Sequence, residues 1–191
     1  MRVLIVGAGP TGLTAAVELW RHGIKAEIID KRDEASGFSR AVGITPRSLH
    51  LLEASGVTKL LLGEGVRLQG VRVYRGKELK LALGINPPVI KYGYDYVVGL
   101  AQDRTEANLR AVLEGMGGIV RYSTALKKLS QDDDSVLAEL EDGSLETYDY
   151  VIAADGIRST VRGNLGIKYP GYELPETWSI ADVDVKDWPN A

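Results

Sequence analysis

The chain has 191 residues, 45% apolar and 26% charged, the size and balance of one soluble globular domain or two very small ones. It contains no cysteine and only His22 and His50, which excludes disulfides, thiolate metal sites, a cysteine nucleophile and a histidine-rich metal cage. The net charge of −3 is spread over 26 acidic and 23 basic residues without a long basic run, so nucleic acid finds no electrostatic footing.

Met1 and Arg2 lead directly into Val3-Leu4-Ile5-Val6, a run too short for a signal core. No stretch approaches the roughly 20 apolar residues of a membrane span. A cytoplasmic protein with no membrane partner is the expectation. Val3 to Val6 reads as a strand buried on both faces of a parallel sheet. Gly7-Ala8-Gly9-Pro10-Thr11-Gly12 interrupts it, and Leu13, Ala16, Val17 and Trp20 then recur at helical spacing. His22 and Gly23 close that helix, the glycine suiting the left-handed position past its end. Ala26 to Ile29 is a second strand, ending at Asp30. Strand, helix and strand in 30 residues predict a right-handed crossover and an α/β fold.

Pro46 opens a helix that carries Leu49, Leu52 and Ala54 and stops at Gly56; residues 57–63 add a short helical turn. From about Arg67 to Val98 the texture changes. Val71, Val73, Tyr74, Leu79, Leu81 and Leu83 alternate between Gly76, Gly84 and Pro87-Pro88, which predicts antiparallel strands inserted into the α/β body. Thr105 to Leu113 returns to helix, and Ile119 to Tyr122 to strand. Ala125 to Ala154 reads as a meander with turns at Asp132-Asp133-Asp134 and Asp142-Gly143, the acid triplet being a solvated hairpin tip rather than a metal site. Residues 177–186 alternate again.

Gly7-x-Gly9-x-x-Gly12 sits directly between a strand and a helix, the context in which this spacing has chemical meaning. Gly7 permits the tight turn, Gly9 lets a diphosphate approach the backbone, and Gly12 allows close helix–strand packing. Pro10 and Thr11 stand in the same turn, at the positive end of the helix. Asp30, eighteen residues beyond Gly12, can accept hydrogen bonds from both ribose hydroxyls of an adenosine and repels a 2′-phosphate. Lys31 and Arg32 fit either the adenine side or a solvated charge pair. Glycines and carboxylate together say dinucleotide without saying which.

Three later segments carry a resemblance. They are Arg40-Ala41-Val42-Gly43-Ile44-x-Pro46-Arg47-Ser48-Leu49, then Gln102-x-x-x-Glu106, and Ala154-Asp155-Gly156-x-x-Ser159-x-Val161-Arg162. In this order they resemble the class A FAD-dependent monooxygenases, the para-hydroxybenzoate hydroxylase-like family, over essentially the whole chain. The resemblance implies a Rossmann-like FAD-binding domain of the glutathione-reductase type, with a parallel sheet, a β-meander and inserted antiparallel strands of a substrate domain. The FAD-binding domain would take residues 1–66 and 99–170, and partial substrate-domain strands residues 67–98 and 171–191.

The same resemblance assigns FAD to Gly7, Gly9, Pro10, Thr11, Gly12, Asp30, Lys31, Arg32, Arg40, Gln102, Leu126, Asp155 and Gly156. Arg40 offers the diphosphate a planar donor fork, and Gln102 a phosphate or ribose donor. Leu126 fits either the adenine edge or simple core. Asp155 and Gly156 form a strand-to-helix turn near the diphosphate; an Asx-type cap explains Asp155 locally. The implied function is hydroxylation of a small aromatic or polyketide-like substrate with O2, through a flavin hydroperoxide, with NADPH or NADH as transient donor. No catalytic residue and no metal ligand is assigned. His22 fits the helix dipole, and His50 a surface or packing role. Read as a strand, this segment puts Tyr92, Tyr94 and Tyr96 on one face, to line a cavity or cover a sheet.

A flavin-dependent halogenase or epoxidase, or a non-catalytic FAD-binding module, shares most of these features. A nicotinamide dehydrogenase leaves Arg40 and Asp155 unexplained. Family members are about twice this length or more, so an open sheet edge that pairs with a second copy or with a C-terminal half is expected.

Overall fold

The computed structural model describes residues 1–35, 37, 42–68, 70–84 and 93–177. Arg40, Tyr92 and the alternating residues 178–186 lie outside the described residues. The first unit is β1 (Val3–Val6), α1 (Pro10–Arg21) and β2 (Glu27–Ile29). It is followed by β3 (Gly43–Ile44), α2 (Pro46–Leu51) and α3 (Val57–Glu64). The chain then runs through β4 (Val66–Leu68), the hairpin β5 (Gly70–Arg75) and β6 (Glu78–Gly84), and β7 (Val97–Gly99). Next come α4 (Gln102–Gly115), β8 (Val120–Arg121), β9 (Leu126–Gln131), β10 (Val136–Leu140), β11 (Leu145–Tyr148), β12 (Tyr150–Ala153) and α5 (Thr160–Asn164).

The centre is a four-stranded parallel sheet in the order β12-β1-β2-β8. All four residues of β1 are buried, because both faces of this strand are covered. Alternation along the strand divides them. Val3 and Ile5 join Leu13, Ala16 and Val17 of α1 and Leu109 and Leu113 of α4 in one core. Leu4 and Val6 join Ile29, Leu126, Ala138, Leu140, Tyr148 and Val161 in a second core on the other face. The result is three layers: helices, parallel sheet, and the antiparallel meander β9-β10-β11. The mixed α/β architecture expected from the sequence is therefore present, and β12 lies beside β1 in register Val3↔Tyr150.

A small antiparallel sheet, β3-β7-β4, joins the strands that leave and re-enter the body. Beyond it the β5–β6 hairpin is exposed along its whole length. Val71 pairs with Leu83 and Val73 with Leu81, and a register shift after Val73 lets Tyr74 pair with Leu79. Cross-strand partners share a face, so this bulge keeps six apolar side chains on one side of the hairpin. Each of them is 39–56% exposed. The acid triplet is a turn: the Asp132 carboxylate accepts from the Asp134 and Ser135 amides at 3.0 and 2.8 Å. Among the described residues no helix is long and apolar enough to cross a membrane.

Candidate functional site

The site forms where β1, β2 and β12 end. Gly7 adopts φ +102°, and its amide donates to the Ile29 carbonyl at 2.8 Å. A methyl group at Gly7 would overlap the Ala154 carbonyl, and one at Gly12 would overlap the Gly7 carbonyl. These two glycines are therefore required by packing. Gly9 differs: among the described residues a methyl there meets nothing within 4 Å. Gly9 is the N-cap of α1, with no side-chain cap, no acid in the first turn and proline at the helix start. The first-turn N–H groups of Thr11 and Gly12 have no acceptor within the helix by its geometry. The open glycine and the positive helix end face the same way, the arrangement that suits a diphosphate.

Asp30 follows β2 and is 8% exposed. Its Oδ2 accepts from the Ala8 amide at 2.8 Å and from Arg32 Nη2 at 2.9 Å. Its Oδ1 accepts from the Arg32 amide at 2.9 Å and Arg32 Nε at 3.0 Å. Burial opposes ionisation here, but the donors of Arg32 and Ala8 outweigh it and hold the carboxyl below its ordinary value. The same bond to Asp30 pushes the Arg32 guanidinium up. Arg32 also donates to the Ala8 carbonyl at 3.1 Å. It is thus part of the strand end and not a solvated partner of Lys31, which is exposed.

The arrangement reaches further than the sequence reading. Arg32 Nη1 lies 3.6 Å from Oε2 of Glu106, whose side chain is 4% exposed. Glu106 Oε1 accepts from Gln102 Nε2 at 2.8 Å, one turn earlier on α4. Glu106 appeared in the Gln102-x-x-x-Glu106 segment without a role. The available signal was its i+4 spacing from Gln102, which puts both side chains on one helix face.

β12 leads into Ala154 and Asp155, which lie against Gly7, so the two turns meet. The Asp155 carboxylate accepts from Ser159 Oγ at 2.6 Å and from the Val161 amide at 3.2 Å. Ser159 Oγ accepts in turn from the Arg162 amide at 2.9 Å, and the Arg162 guanidinium donates to the Ile157 carbonyl at 2.6 Å. The local cap therefore accounts for Asp155, Ser159 and Arg162 together, whereas the sequence reading credited it with Asp155 alone. These side chains build the turn, and Gly156, at φ +78°, presents backbone. A hollow of about 450 Å³ lies here, lined by Thr11, Ala154, Asp155, Gly156 and Arg162 among others.

Leu126 is 5% exposed and packs in the meander core. Tyr94 donates to Glu53 at 2.6 Å and meets Tyr96 edge-on at 6.0 Å. Both pack on the helix-side core, and residues 93–96 form no strand. His22 is the C-cap of α1, and His50 is an exposed partner of Glu53 at 3.5 Å.

The described residues fit a dinucleotide: an open glycine turn, an uncapped helix start, and a carboxylate ending the next strand. Comparison with known proteins agrees. The chain is 37% identical over 186 residues to 6-methylpretetramide 4-monooxygenase of Streptomyces rimosus, covering 95% of this chain and 33% of that protein. It resembles the structure of p-nitrophenol 4-monooxygenase PnpA from Pseudomonas putida DLL-E4 with a TM-score of 0.82 at 27% identity, covering 89% of this chain and 44% of that one. Against aklavinone-11 hydroxylase, in a ternary complex with FAD and aklavinone, the TM-score is 0.73 at 29% identity, covering 86% and 34%. The chain spans about a third of the length of the curated relatives it matches. The model of the FAD binding domain family matches residues 1–191 in full, and the chain belongs to that family.

Proposed function

We propose that this chain is the FAD-holding portion of a monooxygenase that uses NADPH or NADH and O2 to hydroxylate an aromatic or polyketide-like compound. The observation that carries the proposal is the junction of three strand ends, where the Gly7–Gly12 turn, Asp30 and the Ala154–Gly156 turn converge. The similar proteins named above are a 4-monooxygenase of 6-methylpretetramide, a 4-monooxygenase of p-nitrophenol and an 11-hydroxylase of aklavinone, which supports oxygen insertion into a ring compound.

When bound, the flavin supplies the redox and oxygen chemistry. The chain's own residues position it. Gly9 and the start of α1 receive the diphosphate, with Pro10 fixing the first helical residue and Thr11 lining the approach. Asp30 receives the adenosine ribose and, being anionic, disfavours a 2′-phosphate in this place. Gly156 gives the second backbone approach, held by Asp155. Gln102 and Arg40 add donors, Lys31 and Arg32 flank the adenosine, and Leu126 backs it from the core. The apolar stripe of the hairpin supports a packing face for the substrate-binding portion. The cytoplasm, with its nicotinamide pool, is the compartment this reading favours.

The test is the visible spectrum of the purified chain after FAD addition and desalting. Flavin bands retained near one per chain are expected; a colourless protein under conditions where the chain is folded by circular dichroism counts against FAD binding by this part.

A further inference from the structure

Asp30 is full. A carboxylate offers about four lone-pair positions. The Ala8 amide, the Arg32 amide, Arg32 Nε and Arg32 Nη2 occupy them at 2.8 to 3.0 Å. A ribose hydroxyl that donates to Asp30 must displace one of these donors. The two backbone amides are fixed by the strand-end turn, so the displaced donor is the guanidinium.

A second carboxylate stands ready to take it. Glu106 is almost completely buried, and its Oε2 is 3.6 Å from Arg32 Nη1, just beyond hydrogen-bond range. A buried carboxylate gains more than an exposed one from a cation drawn into direct contact. A change of Arg32 rotamer that carries the guanidinium onto Glu106 would make that contact and free two acceptor positions of Asp30. Ribose hydroxyls would then replace the lost donors on Asp30, while Glu106 compensates Arg32.

We propose that Arg32 plugs the ribose-accepting edge of Asp30 in the nucleotide-free chain and passes to Glu106 when the adenosine half of FAD binds. Glu106 is then a positioning residue for FAD that never touches FAD. This rests on the FAD reading given above.

The test is FAD binding by flavin-fluorescence quenching, at equilibrium and by stopped flow, for the chain and for Glu106→Gln, Arg32→Gln and the double variant. Gln at 106 keeps the shape and the acceptor for Gln102 but cannot hold the guanidinium as a charge partner. E106Q is expected to weaken FAD roughly tenfold, the middle of the range for coupled neighbours. R32Q is expected to speed association several-fold, a readout that a merely structural role for Arg32 would not move. In the double variant the E106Q penalty disappears. Equal E106Q penalties with and without Arg32, or no penalty at all, overturn the plug. Should E106Q not fold, R32Q decides alone: faster association supports the plug, and unchanged or slower association overturns it. A folded chain that binds no FAD overturns the FAD reading with it, whereas normal binding with uncoupled variants overturns the plug only.

Discussion

Both ends of β2 carry a carboxylate, and the fold treats them oppositely. At the amino end Glu27 accepts from Arg2 at 2.7 Å, from Arg121 at 3.3 Å and from the Tyr148 hydroxyl at 3.1 Å. Arg121 also bridges to Glu146 at 3.1 Å, Tyr148 donates to Glu146, and the Arg2 guanidinium stacks over the Tyr148 ring at 4.6 Å. Among the described residues this network pairs Arg2 and Arg121 with Glu27 and Glu146, and so ties β2, β8 and β11 to the amino-terminal segment. Burial and the bonds to Glu146 and Glu27 push the Tyr148 hydroxyl well up, so it stays a donor. At the carboxyl end the corresponding network among the described residues, Asp30, Arg32, Glu106 and Gln102, shares the Arg32 guanidinium between two carboxylates. The closed network is architecture. The other stands at the strand end where the candidate ligand's donors would enter.

The sharpest way to break this comparison is through the glycines. Gly12→Ala places a methyl against backbone that cannot move, and should destabilise the chain by about 3 kcal/mol or more in urea unfolding. Gly9→Ala, with open space and φ −79°, should change stability by less than about 0.5 kcal/mol while weakening FAD binding. Equal effects at the two positions would erase the distinction between packed and open turn. Next in size, Tyr148→Phe removes a donor from two carboxylates and should cost about 1–3 kcal/mol of stability, with FAD affinity unchanged.

Asp30 sharpens the comparison through pH. Its carboxyl is depressed in the folded chain, so its contribution to stability is present above the ordinary carboxyl range and is lost as pH falls through the folded value. Wild type should therefore exceed Asp30→Asn in unfolding free energy at neutral pH, and the gap should close below about pH 4. A gap that does not narrow as pH falls through the carboxyl range would place the difference in shape rather than charge. The smallest effect is expected at the hairpin. Val73→Thr with Leu81→Thr should leave the unfolding midpoint unchanged and lower the binding of an apolar dye, since both side chains are about half exposed.

Much of the nucleotide end was legible because it is local. The strand, glycine turn, helix and second strand all fall within 30 residues, where periodicity and glycine spacing speak directly. The meander was legible for the same reason, its turns being marked by Asp132 and Asp142. α4 starts at Gln102, three residues before the expected Thr105, and Asp103 supports that first turn through the dipole. β8 is shorter than expected, with only Val120 and Arg121 paired. The contact between Arg32 and Glu106 was not legible, since no local pattern joins residues 74 apart. Nor was the local use of Asp155: its spacing to Ser159 fits a phosphate turn and a helix cap equally well.

The pairing of β1 with β12 has a temporal consequence. Val3 and Tyr150 are neighbours in the central sheet although 147 residues separate them, so the carbonyl that backs the Gly7 turn is made long after the turn itself. At a synthesis rate of 5–20 residues per second, β1 waits about 7 to 30 s before its second neighbour exists. Loops of that length close slowly compared with local helices and hairpins. Completion of the candidate nucleotide turn is therefore a non-local event: α1 can form early, but Ala154 backs Gly7 only once β12 has been made and has paired with β1.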